Sequence, residues 1–247
     1  MKKCSDQFVV GGMQPFTMID FPGKIATVLF AQGCNLRCRF CYNQSLLPAE
    51  SRETLGWQSI IEFLRDRQGF VEGVVFSGGE PCMQPALLAA LAKVKELGFA
   101  TALHTNGYYP GIVHQALQHE LIDAIAIDVK GALRNYKAIT GSAADENNFS
   151  ALISSIVASG IEHEFRTTVH SKIVSETEIL QLARWLSGAG VKKYVLQKFQ
   201  FGQALDVSLE ASAGIGLAES SIIKIRDMFS HFEIRGDQGL DYLKKAA

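Results

Sequence analysis

The stretch IATVLFAQGCNLRCRFCYN, Ile25–Asn43, decides how the rest of the chain is understood. Its opening, Ile25–Ala31, is apolar and partly β-branched, the composition of a strand buried on both faces. Cysteines then stand at Cys34, Cys38 and Cys41, a CxxxCxxC spacing in the loop that leaves this strand. Three thiolates on one short loop can hold three corners of a cuboidal 4Fe-4S cluster, and soft sulfur selects iron-sulfur clusters, zinc or copper(I). A fourth cysteine is absent nearby in sequence. A cluster with one bare iron keeps an open coordination position. A structural zinc site closes it with protein, so the competing possibility is a zinc knuckle completed by Cys82, Cys4 or a histidine.

Downstream, the same kind of apolar run recurs in alternation with helical patterns. Leu55–Arg67 is an amphipathic helix, Gly73–Phe76 a second strand, and Pro85–Leu97 a helix closed by Gly98. Strands follow at Phe99–Leu103, Ala124–Val129, Glu164–Val169 and Lys193–Phe199, separated by helices near Gly111–Leu121, Phe149–Ser159 and Glu176–Ser187. Six strand-helix units in series imply an α/β fold with a parallel sheet and right-handed crossovers, either doubly wound or curled into a barrel. After Gln200 the pattern weakens to a loop, a helix at Ala218–Phe229 and a short strand at Phe232–Ile234.

In either architecture the working face lies beyond the strand carboxyl ends. Polar residues collect there after every strand: Gly33–Asn43, Ser77–Pro81 (SGGEP), His104–Gly107 (HTNG), Asp128–Gly131 (DVKG), Arg166–His170 and Gln197–Gln200. Taken singly these are ordinary features. SGGEP reads equally as a strand-to-helix turn, HTNG as an Asn-Gly turn, Asp128 with Lys130 as a structural pair, and Arg166 as one half of a salt bridge.

With 24 basic and 25 acidic residues in 247, the chain has no global field to hold nucleic acid or an anionic membrane. Five cysteines, three of them crowded, are the wrong pattern for a secreted disulfide framework. Lys2 and Lys3 are followed by Ser5, Asp6 and Gln7 rather than the apolar run of a signal peptide. The uncharged stretch Leu97–His119 contains Asn106, Gly107, Pro110 and Gly111 and is unfit to span a bilayer. A cytoplasmic protein, with no membrane and no nucleic-acid partner, is expected.

With the strand-end loops collected, the chain resembles the radical S-adenosylmethionine superfamily, whose signature is CxxxCxxC with an aromatic before the last cysteine, here Phe40. The resemblance runs from about Thr17 to Gln200 and implies a partial TIM-like (β/α)6 barrel over 17–200, with a small C-terminal α/β extension, 201–247, packing on it. It implies a 4Fe-4S cluster held by Cys34, Cys38 and Cys41, and S-adenosyl-L-methionine held by Gly78, Gly79 and Glu80, with Tyr42, Thr105, Asn106, Arg166 and Gln197 around the rest of the molecule. Asp128 and Lys130 correspond to a D-(V/I)-K pair close to the reaction in enzymes that activate glycyl-radical enzymes. His104 stands where those activases often have aspartate, which puts a cation site in doubt.

The upstream TMIDFPGK, Thr17–Lys24, is most similar to activating proteins of anaerobic ribonucleoside-triphosphate reductase, with pyruvate formate-lyase activases as close kin. A glycyl-radical partner and a one-electron donor such as flavodoxin or ferredoxin are then implied. A radical enzyme acting on a small metabolite and a non-catalytic iron-sulfur or zinc module are the alternatives.

Overall fold

The computed structural model describes residues 7–200, 202, 204–209 and 215–236. Strands β1 (Val10–Thr17), β2 (Ala26–Ala31), β3 (Gly73–Gly78), β4 (Ala100–Thr105), β5 (Ala124–Asp128), β6 (Glu162–Val169), β7 (Lys193–Lys198) and β8 (His231–Arg235) follow one another in sheet order as they do in the chain. The pairings β2–β3, β3–β4, β6–β7 and β7–β8 are parallel. β1 and β8 are the two edges, so the sheet is open and mostly parallel. Helices α1 (Trp57–Arg65), α2 (Leu87–Glu96), α3 (Pro110–Gln118), α4 (Tyr136–Thr140), α5 (Glu146–Ser159), α6 (Glu176–Gly188) and α7 (Glu219–Arg226) make the crossovers.

β1 is the element that periodicity did not announce. Its sequence VGGMQPFT carries two glycines and a proline, which suppress a strand signal. It pairs antiparallel with β2, Val10 against Ala31 and Thr17 against Ala26, and as an edge strand it can accommodate Pro15. The helices obey local chemistry. Ser175 and Glu178 form a reciprocal capping box at the start of α6. Asp145 accepts from the Asn148 amide at the start of α5, and Gly160 closes that helix in the left-handed conformation at φ 71°.

Two compact units emerge. One runs to Asn35 and resumes over Asn43–Ala126; the other comprises Leu36–Tyr42 and the chain from Ile127 onward. The first is built on Phe21, Ala26, Val28, Val75, Ala102 and Ala124. The second is built on Phe165, Tyr194 and Phe232, none of them exposed, with the Tyr194 hydroxyl donating to Thr167 at 2.9 Å. Cys34 thus belongs to the first unit and Cys38 and Cys41 to the second, although all three lie within eight residues. The region after Gln200 also contributes to the sheet, because β8 pairs with β7.

Candidate functional site

In the first unit, β2 delivers the chain into the cysteine loop and β3 ends beside it, with Ala31 opposite Gly78. The Gly33 amide donates to the Leu46 carbonyl at 2.8 Å and the Cys34 amide to the Leu47 carbonyl at 3.2 Å, which fixes the start of the loop. The glycines of SGGEP are required by this packing. A Cβ on Gly78, whose φ is +109°, would fall 2.4 Å from the Ala31 nitrogen. One on Gly79 would fall 2.1 Å from the Gly33 carbonyl oxygen. The family resemblance assigns these glycines to the cofactor; their immediate neighbour in the structure is the backbone leading to Cys34.

Glu80 is completely buried. Its Oε1 accepts from the Cys82 amide at 2.9 Å and from the Thr105 hydroxyl at 2.6 Å, and its Oε2 accepts from the Asn106 amide at 2.8 Å. Burial pushes the carboxyl above its ordinary value, against these donors, which lower it. Glu80, Thr105 and Asn106 therefore come together as one hydrogen-bonded group. Asn35 joins them, accepting at Oδ1 from Asn106 Nδ2 at 2.9 Å. Cys82 is a buried thiol, pushed well up by burial, and packs as a small apolar side chain does. Cys4 lies outside the described residues.

In the second unit, the loop residues Leu36–Tyr42 are pinned from two sides. The Arg37 and Arg39 amides donate to the Thr140 and Ile139 carbonyls, at 2.7 and 3.0 Å, at the end of α4. The Leu205 and Asp206 amides donate to the Cys41 and Arg39 carbonyls at 3.0 and 2.8 Å, and the Arg39 guanidinium meets the Asp206 carboxylate at 2.7 Å. The segment following Gln200 thus helps shape the cysteine loop. Sequence carried no sign of this.

Beside that loop stands a charged cluster at and just beyond the end of β5 and on β6. Asp128 accepts from Arg166 Nε at 2.7 Å and from Lys130 Nζ at 2.9 Å. Burial would raise the Asp128 carboxyl, but the Arg166 guanidinium and the Lys130 ammonium hold it well below the usual carboxylate range. Lys130 is also 5.7 Å from the centroid of the Phe40 ring. Its ammonium is held above its ordinary value by Asp128 and Cys38 despite desolvation. Arg166 leads further, with Nη1 3.7 Å from Glu164, and Glu164 takes a two-point bond from Arg235 at 2.9 Å each and another from Lys193 at 3.0 Å. Arg166 is therefore paired with acids here, as the plain reading of that residue had it. Glu164 and Arg235 were not singled out in the sequence, since 71 residues separate them.

Tyr42 and Gln197 are half-buried in this unit. The Tyr42 hydroxyl accepts from the Gln200 amide and its ring centroid lies 5.9 Å from that of Phe199. Gln197 is half-buried on β7, in register with Thr168 and Arg235. His104 is half-buried, whereas His114 and His119 are exposed on and after α3. Among the described residues no three His, Cys, Asp or Glu side chains gather tightly enough to hold a lone metal ion, and no helix is long and apolar enough to cross a membrane.

The donor set fits an iron-sulfur cluster. Among the described residues Cys34, Cys38 and Cys41 are in no disulfide, Cys38 is buried, and their loop is walled by Leu36 and Phe40, 1% and 5% exposed. In a cuboidal cluster each thiolate takes a different iron, so the sulfurs need not converge on one point.

The chain is similar to several known proteins. The family model described as the Radical SAM superfamily matches residues 28–186. A Methanocaldococcus jannaschii protein named as a glycyl-radical enzyme activating enzyme is 30% identical over 206 residues, 80% of this chain and 82% of that protein. A pyruvate formate-lyase-activating enzyme of Clostridium pasteurianum is 37% identical over 140 residues, 53% of this chain and 57% of its own length. The crystal structure of Streptococcus suis SuiB bound to S-adenosylmethionine shares the fold, with TM-score 0.57 and 15% identity over 80% of this chain. This chain spans 44% of that protein's length.

Proposed function

The chain belongs to the radical SAM superfamily and within it to the glycyl-radical enzyme activating enzymes, and from that premise we propose that it activates an anaerobic ribonucleoside-triphosphate reductase in the cytoplasm. The family works with a 4Fe-4S cluster and S-adenosylmethionine. When bound, they would supply radical chemistry for hydrogen-atom abstraction, here from a backbone glycine of the partner, with a flavodoxin or ferredoxin as the one-electron donor.

The observation that carries the proposal is the pinned cysteine loop with the Asp128–Lys130–Arg166 cluster beside it, at the strand ends where this fold places chemistry. Cys34, Cys38 and Cys41 would hold the cluster, leaving one iron for the amino-acid end of the cofactor. Phe40 keeps water from the loop and, with Asp128, fixes the Lys130 ammonium. Lys130 and Arg166 present cations to a carboxylate or ribose, while Asp128 keeps both in place. Glu80 ties the Thr105–Asn106 turn to the SGGEP turn, and the half-buried Gly78 and Gly79 would, with that turn, border the methionyl end. Tyr42 and Gln197 would border the adenosyl part.

The choice of partner rests on TMIDFPGK, Thr17–Lys24, and its similarity to the reductase activases. The 37% identity to a pyruvate formate-lyase-activating enzyme supports a second reading, with pyruvate formate-lyase as the partner. Anaerobic reconstitution followed by a 5′-deoxyadenosine assay and by electron paramagnetic resonance with each candidate partner separates them. A glycyl radical on the reductase is expected. Cofactor cleavage with no radical on any glycyl-radical enzyme would refute the activase reading. Cleavage undiminished in Cys38→Ala would refute the cluster assignment.

A further inference from the structure

Asn35, between Cys34 and Leu36, carries a side-chain amide whose orientation is settled by a chain of hydrogen bonds. The Tyr108 amide donates to Asn106 Oδ1 at 3.0 Å, which identifies the oxygen end of Asn106. The nitrogen end of Asn106 donates to Asn35 at 2.9 Å, so the atom of Asn35 that receives it is Oδ1. The Asn106 main chain is itself held by Glu80 at 2.8 Å. Asn35 Nδ2 is left as a donor with no choice of role. It is buried, and among the described residues it has no hydrogen-bond partner, a condition shared only with His163 Nε2. A buried amide N–H without an acceptor is costly, and each one calls for an explanation, a redox role or a bound group among them.

We propose that Asn35 Nδ2 donates a hydrogen bond to a sulfur atom of the iron-sulfur cluster at Cys34, and that Asn35 thereby raises the cluster's reduction potential; the inference rests on the cluster assignment above. The acceptor is a sulfur because Asn35 directly follows Cys34, whose thiolate would hold the cluster. The cofactor carboxylate would bind the iron that no cysteine holds. A thiolate or sulfide is an anionic acceptor that becomes more negative on reduction. A donor aimed at it therefore stabilises the reduced state more than the oxidised one.

The test is a redox titration of the reconstituted cluster, followed by electron paramagnetic resonance without S-adenosylmethionine, for wild type and Asn35→Leu at matched iron and sulfide content. Asn35→Leu is expected to lower the ratio of reduced to oxidised cluster roughly tenfold at a fixed potential, a midpoint about 59 mV more negative for a one-electron couple. Asn106→Leu keeps the Asn35 amide but removes its orienting partner. It should shift the midpoint the same way by less, and it serves if Asn35→Leu takes up no cluster. Unchanged midpoints in both variants overturn the proposal, as does an unchanged midpoint with weakened S-adenosylmethionine binding, which would put the acceptor on the cofactor. Failure of the wild type to load any cluster would instead refute the cluster assignment.

Discussion

Replacing Glu80 tests whether this buried carboxylate works as the tie between two strand-end turns. Glu80→Ala leaves the Cys82 amide, the Thr105 hydroxyl and the Asn106 amide without their acceptor in a site with no solvent exposure. Each unsatisfied buried donor costs roughly 1–3 kcal/mol, and relief of the buried charge offsets part of the sum, so a net loss of about 3–6 kcal/mol is expected. Glu80→Gln is milder. Its oxygen can serve Cys82 and Thr105, but its amide nitrogen then faces the Asn106 N–H, donor against donor, for about 1–3 kcal/mol.

Urea unfolding of the apo protein under reducing conditions reads both values from the midpoint at constant slope. The pH dependence has a definite sign. The folded carboxyl is raised above its ordinary value of 4.5 by burial, so its contribution is complete below that value and is lost as pH rises through the folded one. The wild-type advantage over Glu80→Ala should narrow from acid toward neutral pH. Glu80→Gln as stable as wild type, or a wild-type advantage that widens with pH, would refute the assignment.

Glu164 should behave oppositely, since Arg235, Arg166 and Lys193 overcome its desolvation and bring its carboxyl to about 2. Its contribution, on the order of 3 kcal/mol, is present above about pH 4.5 and lost as pH falls toward 2, an acid limb that urea midpoints should show flattened in Glu164→Gln. Asp128→Asn leaves Lys130 and Arg166 without their shared anion. Breaking such a pair costs about 3–5 kcal/mol, and the 26% exposure of the Asp128 side chain points to the lower end, measurable as a fall in Tm. Gly79→Ala drives a methyl group into the Gly33 carbonyl, so a loss of at least about 1–3 kcal/mol and reduced iron uptake at Cys34 are expected from unfolding and iron assays.

Much of the sheet was legible because parallel strands buried on both faces read as continuous apolar runs, and the helices between them carry ordinary caps, such as Ser175 with Glu178. β1 escaped because Gly11, Gly12 and Pro15 belong to an edge strand, where pairing on one side is enough. α4 escaped because five residues are too few to show a helical period. Of the candidate site, the cysteines were legible from spacing, and the strand-end residues from their place after each apolar run.

By itself, then, the sequence determined which chemical groups the molecule carries and the order in which they leave the strands, since ligand spacing and strand periodicity are local properties of the chain. Tertiary structure decided what those groups do to one another. It turned Gly78 and Gly79 into close-packing positions, committed both oxygens of Glu80 to protein donors, and paired Arg166 with Asp128 and Glu164. It also brought Asp206 onto Arg39 across 167 residues. Contacts of that kind depend on which side chains are buried together, and burial is set by the packed sheet rather than by neighbours along the chain.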